Sequence, residues 1–303
     1  MPVYNGEKYI RQALDSLLAQ TFIDFKIVIS DNASTDGTEA ICNEYVKKDS
    51  RVECIRQPTN IGLINNFNFL LKNARSDYFA WMAHDDYLDA SSLQIIVGYL
   101  DEHTDVACCM GDSNVVNNGV IVNKRIHNEI RDNVDWIVAR RNFFTYSHNL
   151  VMPIYGVFRL NILQKNNIYL KPGFRGTIYG LERSILPRVA LQGRIVALPM
   201  VLQHKRVQEQ SLSVTEPKQI KQLQLFCNVI YIIIKHQGRT ALFSNLTLRQ
   251  KLQIFIEMVS FDTPVILVYA WRCIPSRWHR WTANVRMLLP LRNKMITALK
   301  KQR

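Results

Sequence analysis

Lys26-Ile27-Val28-Ile29-Ser30-Asp31-Asn32-Ala33-Ser34-Thr35-Asp36-Gly37-Thr38 is the stretch that decides the fold. A β-branched apolar run ends in a loop of Asp, Asn, Ser and Gly. A helical pattern through Ile41 and Tyr45 follows. Strand, polar loop and amphipathic helix form the unit of a parallel α/β sheet, whose helices cover its faces. The unit recurs on both sides. Upstream, Tyr9, Ile10, Ala13, Leu14, Leu17 and Leu18 repeat at helical spacing. Downstream, residues 52–55 read as a strand and 66–74 as a helix with Phe67, Leu70 and Leu71 on one face. Residues 78–82 read as a strand, 91–100 as a helix and 106–110 as a strand. The expected fold is therefore α/β, a mostly parallel Rossmann-like sheet flanked by helices. Its ligands sit in the loops at the carboxyl ends of the strands.

The rhythm changes after residue 111. Val115-Val116-Asn117-Asn118-Gly119-Val120-Ile121-Val122 reads as a hairpin turned by Asn-Gly. Residues 134–192 mix helices and loops, and 201–213 read as a strand leading into a polar loop. Beyond residue 216 the chain is mainly helical and basic, which divides it into an α/β domain, 1–215, and a helical basic extension, 216–303. At the other end, Pro2-Val3-Tyr4-Asn5 reads as a strand-end loop, so only Met1 remains of the strand before it. The expectation is that the sequence is truncated by about one strand, or starts at an internal Met.

The chain has 303 residues, 48% of them hydrophobic, and a net charge of +13. This composition excludes disordered and collagen-like chains. The charge is local. Residues 1–200 hold 21 basic and 21 acidic residues, whereas 201–303 hold 17 and 4. A neutral body with a basic tail argues against nucleic-acid binding over the whole surface. Trp271, Trp278 and Trp281 lie among Arg272, Arg277, Arg280 and Arg286, a mixture that suits an anionic membrane surface. The plainer alternative is a solvated helical appendage. Glu257, Asp262 and Pro264 interrupt the most apolar stretch, so no spanning helix is expected. No secretory signal is visible. None of the six cysteines forms a Cys-x-x-Cys pair, so buried thiols are expected rather than zinc or disulfides.

Four clusters fall at strand ends: Pro2-Val3-Tyr4-Asn5, the loop 31–38, Asn60-Ile61-Gly62, and His84-Asp85-Asp86. Adjacent carboxylates repel unless a cation or donor lies between them. Hard oxygen ligands suit Mg²⁺ or Mn²⁺, which keep waters and bridge to a substrate diphosphate. Each cluster also has a plainer reading. Asp36-Gly37-Thr38 fits a turn and helix cap, Asp31 a turn residue, and Asp85-Asp86 a cap for the next helix. His84 fits a bystander.

In order and spacing, Pro-x-Tyr-Asn, Asp-Asn-x-Ser-x-Asp-Gly-Thr, Asn-x-Gly and Asp-Asp resemble the family 2 glycosyltransferases of GT-A fold. The likeness is specific through residue 110 and looser to residue 213. It implies inverting transfer of a sugar from a nucleotide sugar, a UDP-sugar foremost, to an acceptor hydroxyl in cell-surface polysaccharide synthesis. It implies that Pro2, Tyr4, Asp31, Asn60, Asp85 and Arg206 bind the donor. Tyr4 would pack on the base and Asp31 would accept a hydrogen bond from it. Asp86, with Asp85, would hold Mg²⁺ or Mn²⁺.

Inverting transfer needs one general base. Family members carry a Glu-Asp pair on a helix, six residues before an Arg. Counting back from Arg188 places Glu182 at the base, with Leu181 replacing the first acid. A surface helix Glu is the plainer reading. Arg206-Val207-Gln208-Glu209-Gln210-Ser211-Leu212-Ser213 resembles the family's Arg-x-His-x-x-Ser-x-Ser loop, with Gln208 in place of His. His204 is a possible third ligand or a partly buried strand His. The implied acceptor is a glycan or a lipid-linked molecule. The implied location is cytoplasmic, on the inner face of the plasma membrane through residues 254–303. The competing hypothesis is a catalytically inactive sugar-nucleotide-binding or membrane-associated protein, which Leu181 and the missing strand favour.

Overall fold

The strands form two sheets. The computed structural model describes residues 1–134, 152–171 and 184–207, all within one unit, Met1–Leu246. The expected boundary after residue 215 lies outside the described residues. The first sheet is parallel, in the order β1 (Pro2–Val3), β2 (Ile27–Asp31), β3 (Val52–Arg56). Helix α1 (Ile10–Leu18) joins β1 to β2, and α2 (Thr38–Lys48) joins β2 to β3. A helical crossover of this length returns the chain parallel. Helix α1 buries Ile10, Ala13, Leu14 and Leu17, the i, i+3, i+4, i+7 stripe that its sequence predicts.

The first strand needs a correction. Pro2 and Val3 belong to it and pair with Ser30 and Asp31. The ladder uses the Met1 and Val3 carbonyls, which accept from the Ser30 and Asn32 amides at 2.9 Å. Pro2, with no N–H, is therefore tolerated there. The register sets Val3, Asp31 and Arg56 side by side at the carboxyl edge of this sheet.

The second sheet contains β4 (Tyr78–Ala80), β5 (Tyr87–Leu88), β6 (Val106–Asn117), β7 (Val120–Arg125), β8 (Val157–Arg159) and β9 (Arg194–Arg206). The order is β4-β8-β6-β9-β5, with β7 also on β6. Only β6 and β9 run parallel, so this sheet is mixed where a mostly parallel one was expected. The Asn-Gly hairpin expected from the sequence supplies one of the antiparallel pairs. Asn118 and Gly119 both have positive φ, 47° and 80°, which turns β6 directly into antiparallel β7. Strand β9 pairs with β6 from residue 106 to residue 116 and ends at Arg206. That carries the end of β9 to the loop between β4 and β5.

Helices α3 (Leu63–Asn73), α4 (Ser92–Glu102), α5 (Leu160–Lys165) and α6 (Leu186–Ala190) complete the described elements. The core under α3 centres on Trp81, whose ring meets Phe79 and Phe158 edge-on at 4.8 and 5.9 Å. Its indole N–H donates to the Phe67 carbonyl at 3.1 Å, so this large side chain is buried without an orphan donor. Cys42, Cys108 and Cys109 are buried free thiols and Cys54 is partly buried. No helix among the described residues is long and apolar enough to cross a membrane. The basic tail, 254–303, lies outside them.

Candidate active site

The loop after β1 and the loop after β2 are stitched together. The Asn5 amide donates to Ser34 Oγ at 2.9 Å, and Asn5 Oδ1 accepts from the Thr35 amide at 2.8 Å. The Gly6 amide donates to Thr38 Oγ1 at 2.8 Å. The Glu7 amide donates to Asp36 Oδ2 at 3.1 Å, and Glu7 Oε2 accepts from the Gly37 amide at 2.6 Å. Asn5 and Ala33 hold positive φ, 52° and 60°, a conformation that such a network can impose on non-glycine residues. Asp36 Oδ1 accepts from the Thr38 amide at 3.1 Å, a turn leading into α2, so the plain turn reading holds for this pair, while the N-cap of α2 is Gly37 with no side-chain cap bond. Burial opposes ionisation of Asp36, but the Thr38 hydroxyl and the Glu7 and Thr38 amides outweigh it and hold the carboxyl below its usual range. Tyr4 stands at the rim of these loops, 46% exposed, with its ring open to solvent.

Asp31 lies beneath them, fully buried at the end of β2. Its Oδ1 accepts from the Ser34 amide at 3.0 Å, and its Oδ2 pairs with the Arg56 guanidinium. Arg56 also donates to the Ser34 carbonyl at 2.9 Å and lies 3.4 Å from Glu39. Asn60 forms a second clamp. Its Oδ1 accepts from Asn32 Nδ2 and from the Gly62 amide, both at 2.9 Å. Asn32 Oδ1 in return accepts from the Ile61 amide at 2.8 Å. Gly62 then enters α3 at φ 81°, a conformation that favours glycine.

The carboxylates lie in the loop between β4 and β5. Asp86 is 2% exposed. Its Oδ1 accepts from the Arg206 amide at 3.0 Å, and its Oδ2 accepts from Gln203 Nε2 at 3.4 Å. Lys205 Nζ stands 3.9 Å from Oδ2. Burial pushes the Asp86 carboxyl up to about 6, against the smaller pull of Lys205. Asp85 is partly buried, and its carbonyl accepts from Arg206 Nε at 3.1 Å. His84 packs so closely against the loop after β1 that a Cβ on Gly6 would meet its ring at 2.6 Å. Burial lowers its pKa, which fits a neutral wedge between loops.

Strand alternation divides the end of β9 between two neighbours. Gln203 and Lys205 face Asp86. His204 stacks on Tyr87, with ring centroids 4.5 Å apart, and its Nε2 lies 2.9 Å from Asp89 Oδ1. That agrees with the partly buried strand reading of His204. The guanidinium of Arg206 lies 4.3 Å over the Tyr9 ring and donates to Gln12 Oε1 as well as to the Asp85 carbonyl.

Among the described residues no group of three or more His, Cys, Asp or Glu side chains could hold a metal. Asp85 and Asp86 alone make no closed cage. A buried carboxylate short of positive charge does fit a hard cation that completes its shell with waters and diphosphate oxygens. Glu182, Leu181 and Gln208 lie outside the described residues.

The family model described as "Glycosyl transferase family 2" matches residues 1–166, more than half of the chain. The chain belongs to glycosyl transferase family 2. An uncharacterised glycosyltransferase of Rickettsia typhi is 34% identical over 102 residues, which cover 34% of this chain and 31% of that protein. The chain thus matches about a third of the length of such curated relatives. Two solved structures share the fold. S. aureus TarS 1-349 in complex with UDP-GlcNAc has a TM-score of 0.64 and 21% identity, covering 91% of this chain and 75% of that one. The mannosyltransferase PcManGT from Pyrobaculum calidifontis, in complex with GDP-Man and Mn2+, has a TM-score of 0.53 and 16% identity, covering 95% of this chain and 78% of that one. These likenesses bear out the α/β, GT-A-type expectation for this family 2 chain.

Several residues of the site escape a reading by motif. Arg56 directly follows the apolar pair Cys54-Ile55 in β3, and only the register with Asp31 reveals it. Gln203 and Lys205 escape because they precede the Arg206 stretch. Their alternation along β9 is the signal that could have found them.

Proposed function

We propose that this family 2 chain is an inverting glycosyltransferase. It moves a sugar from a nucleotide-diphosphate sugar, a UDP-sugar foremost, to an acceptor hydroxyl in cell-surface polysaccharide synthesis. The observation that carries this is Asp86: a buried strand-end carboxylate next to a second Asp, pushed up to about 6 and short of a close cation. A group of this kind is costly to keep and suits a site that receives positive charge with its ligand. Pro2, Tyr4, Asp31 and Asn60 line the nucleoside side, with the exposed Tyr4 ring as the base platform. Asp86, with Asp85, holds Mg²⁺ or Mn²⁺, which when bound offsets negative charge on the departing diphosphate. Arg206 keeps the Asp85-Asp86 loop in place through the Asp85 carbonyl and the Asp86 carboxylate.

Glu182 takes the proton of the acceptor hydroxyl as that oxygen bonds to the anomeric carbon. The bond from that carbon to the diphosphate oxygen breaks on the opposite face, so configuration inverts. The basic tail, 254–303, rests on an anionic membrane at the inner face of the plasma membrane, where a glycan or lipid-linked acceptor is presented.

A calorimetric screen of UDP-, GDP- and dTDP-sugars with Mn²⁺ identifies the donor. With that donor, Glu182→Gln should bind it as wild type does and lose turnover by roughly a hundredfold or more, within the range for removing a general base. Near-wild-type turnover would remove Glu182 from the mechanism.

A further inference from the structure

Two cations lie side by side at the end of β9, and only one of them is committed elsewhere. Arg206 has its Nε on the Asp85 carbonyl, an Nη on Gln12 Oε1, and its face on the Tyr9 ring. Two of its five N–H donors are engaged and its face is covered, which fixes the guanidinium against the Asp85 carbonyl. Lys205 is on the opposite face of the strand. Its ammonium lies 4.4 Å from the centroid of the Tyr155 ring and 3.9 Å from Asp86 Oδ2, beyond hydrogen-bond range. Its side chain is 25% exposed. It is a charge held at the carboxylate but not tied to it. Beside it, Gln203 reaches Asp86 only at 3.4 Å, and the buried hydroxyl of Ser113, the register partner of Gln203, has no hydrogen-bond partner. An unpaired buried hydroxyl is costly in an apolar setting, so this face is built to take a polar group.

We propose that Lys205 is the donor-phosphate ligand of this enzyme, its ammonium turning from Asp86 and the Tyr155 ring to the diphosphate of the nucleotide sugar. This assignment rests on the nucleotide-sugar reading above. It divides the work of the adjacent cations: Arg206 shapes the carboxylate loop, and Lys205 meets the anion. A lysine ammonium suits the task because it is a compact charge on a flexible stem and needs no fixed fork geometry. The Tyr155 ring gives it a resting place that costs little to leave.

The test compares wild type, Lys205→Met and Lys205→Arg, as full chains in saturating Mg²⁺, by calorimetry with UDP, GDP and dTDP and with the matching nucleosides. For the diphosphate that wild type binds, Lys205→Met should weaken affinity roughly tenfold or more and change nucleoside affinity by less than about twofold, the signature of one lost charge-assisted hydrogen bond. Lys205→Arg should keep most of the diphosphate affinity. If wild type binds a diphosphate and Lys205→Met binds it equally well, the assignment to Lys205 fails while the donor reading stands. An equal loss of nucleoside and diphosphate affinity would make Lys205 a residue of the fold and overturn the assignment. If wild type binds none of the three diphosphates, the donor reading falls and the assignment with it.

Discussion

Asp31, at the end of β2, and Asp86, in the loop between β4 and β5, are both buried carboxylates, yet their surroundings differ in kind. Asp31 is enclosed by the protein's own charge: Arg56 on one oxygen and the Ser34 amide on the other. Asp86 has an amide, a long contact from Gln203, and an ammonium 3.9 Å away. Its carboxyl is pushed up to about 6 because burial outweighs those partners. A compensated carboxylate can organise a loop permanently. An under-compensated one stores a demand for positive charge, which a ligand can meet. Around Asp31 the neighbouring loops are likewise closed by reciprocal hydrogen bonds, whereas on the Asp86 side the register partner of Gln203, Ser113, has a buried hydroxyl with no partner. The Asp31 side is closed by its own partners, and the Asp86 side keeps polar capacity unmet.

The largest effect is expected from removing the under-compensated group. Asp86→Ala should lower donor turnover by roughly a hundredfold or more, the scale of losing a preorganised charge-stabilising group. Release of nucleoside diphosphate in Mn²⁺ measures it. A smaller loss at Asp86 than at Asp31 would invert the comparison. Next comes the partner of the compensated group. Arg56→Met leaves Asp31 buried without its cation. Breaking a buried pair is severe, but the Arg56 side chain is 37% exposed, so a loss of about 2 kcal/mol is expected in urea unfolding at neutral pH. An unchanged midpoint would show that Asp31 is not held by charge.

The remaining effect appears only as pH changes. The folded-state pKa of Asp86 is raised from 3.8 to about 6, so the folded chain holds this proton more tightly than the unfolded chain does. The stability this confers is full below about pH 4 and is lost as pH rises through about 6. Asp86→Asn has no such proton to lose. Without metal it should match wild type near pH 4 and exceed it by up to about 3 kcal/mol at neutral pH. A constant difference across that range would mean that Asp86 is not strained by burial.

Much of this was legible in one dimension because it depends on neighbours in sequence. The α1 stripe of Ile10, Ala13, Leu14 and Leu17, the Asn118-Gly119 turn and the Asp36-Thr38 turn are local, and their chemistry specifies them. The short first strand was misjudged by two residues. Pro2 looks like a loop residue, and only the pairing with Ser30 makes it strand. The sequence pattern suggests one mostly parallel sheet, and a second, mixed sheet is not legible in it. Only long-range pairings place β8 and β5 antiparallel to β6 and β9.

The sequence by itself determined the α/β class, the strand-end clusters, the family likeness and the confinement of the +13 charge to the last third of the chain. Those properties are spacings and sums, which need no coordinates. Tertiary structure alone decided which cation serves which carboxylate. Arg56 meets Asp31 through strand register, and Lys205 faces Asp86 while Arg206 turns away, because successive side chains on a strand point to opposite faces. The electrostatics follow from that placement. Both Asp31 and Asp86 are ordinary aspartates in the sequence, and burial with or without a close partner is what separates them.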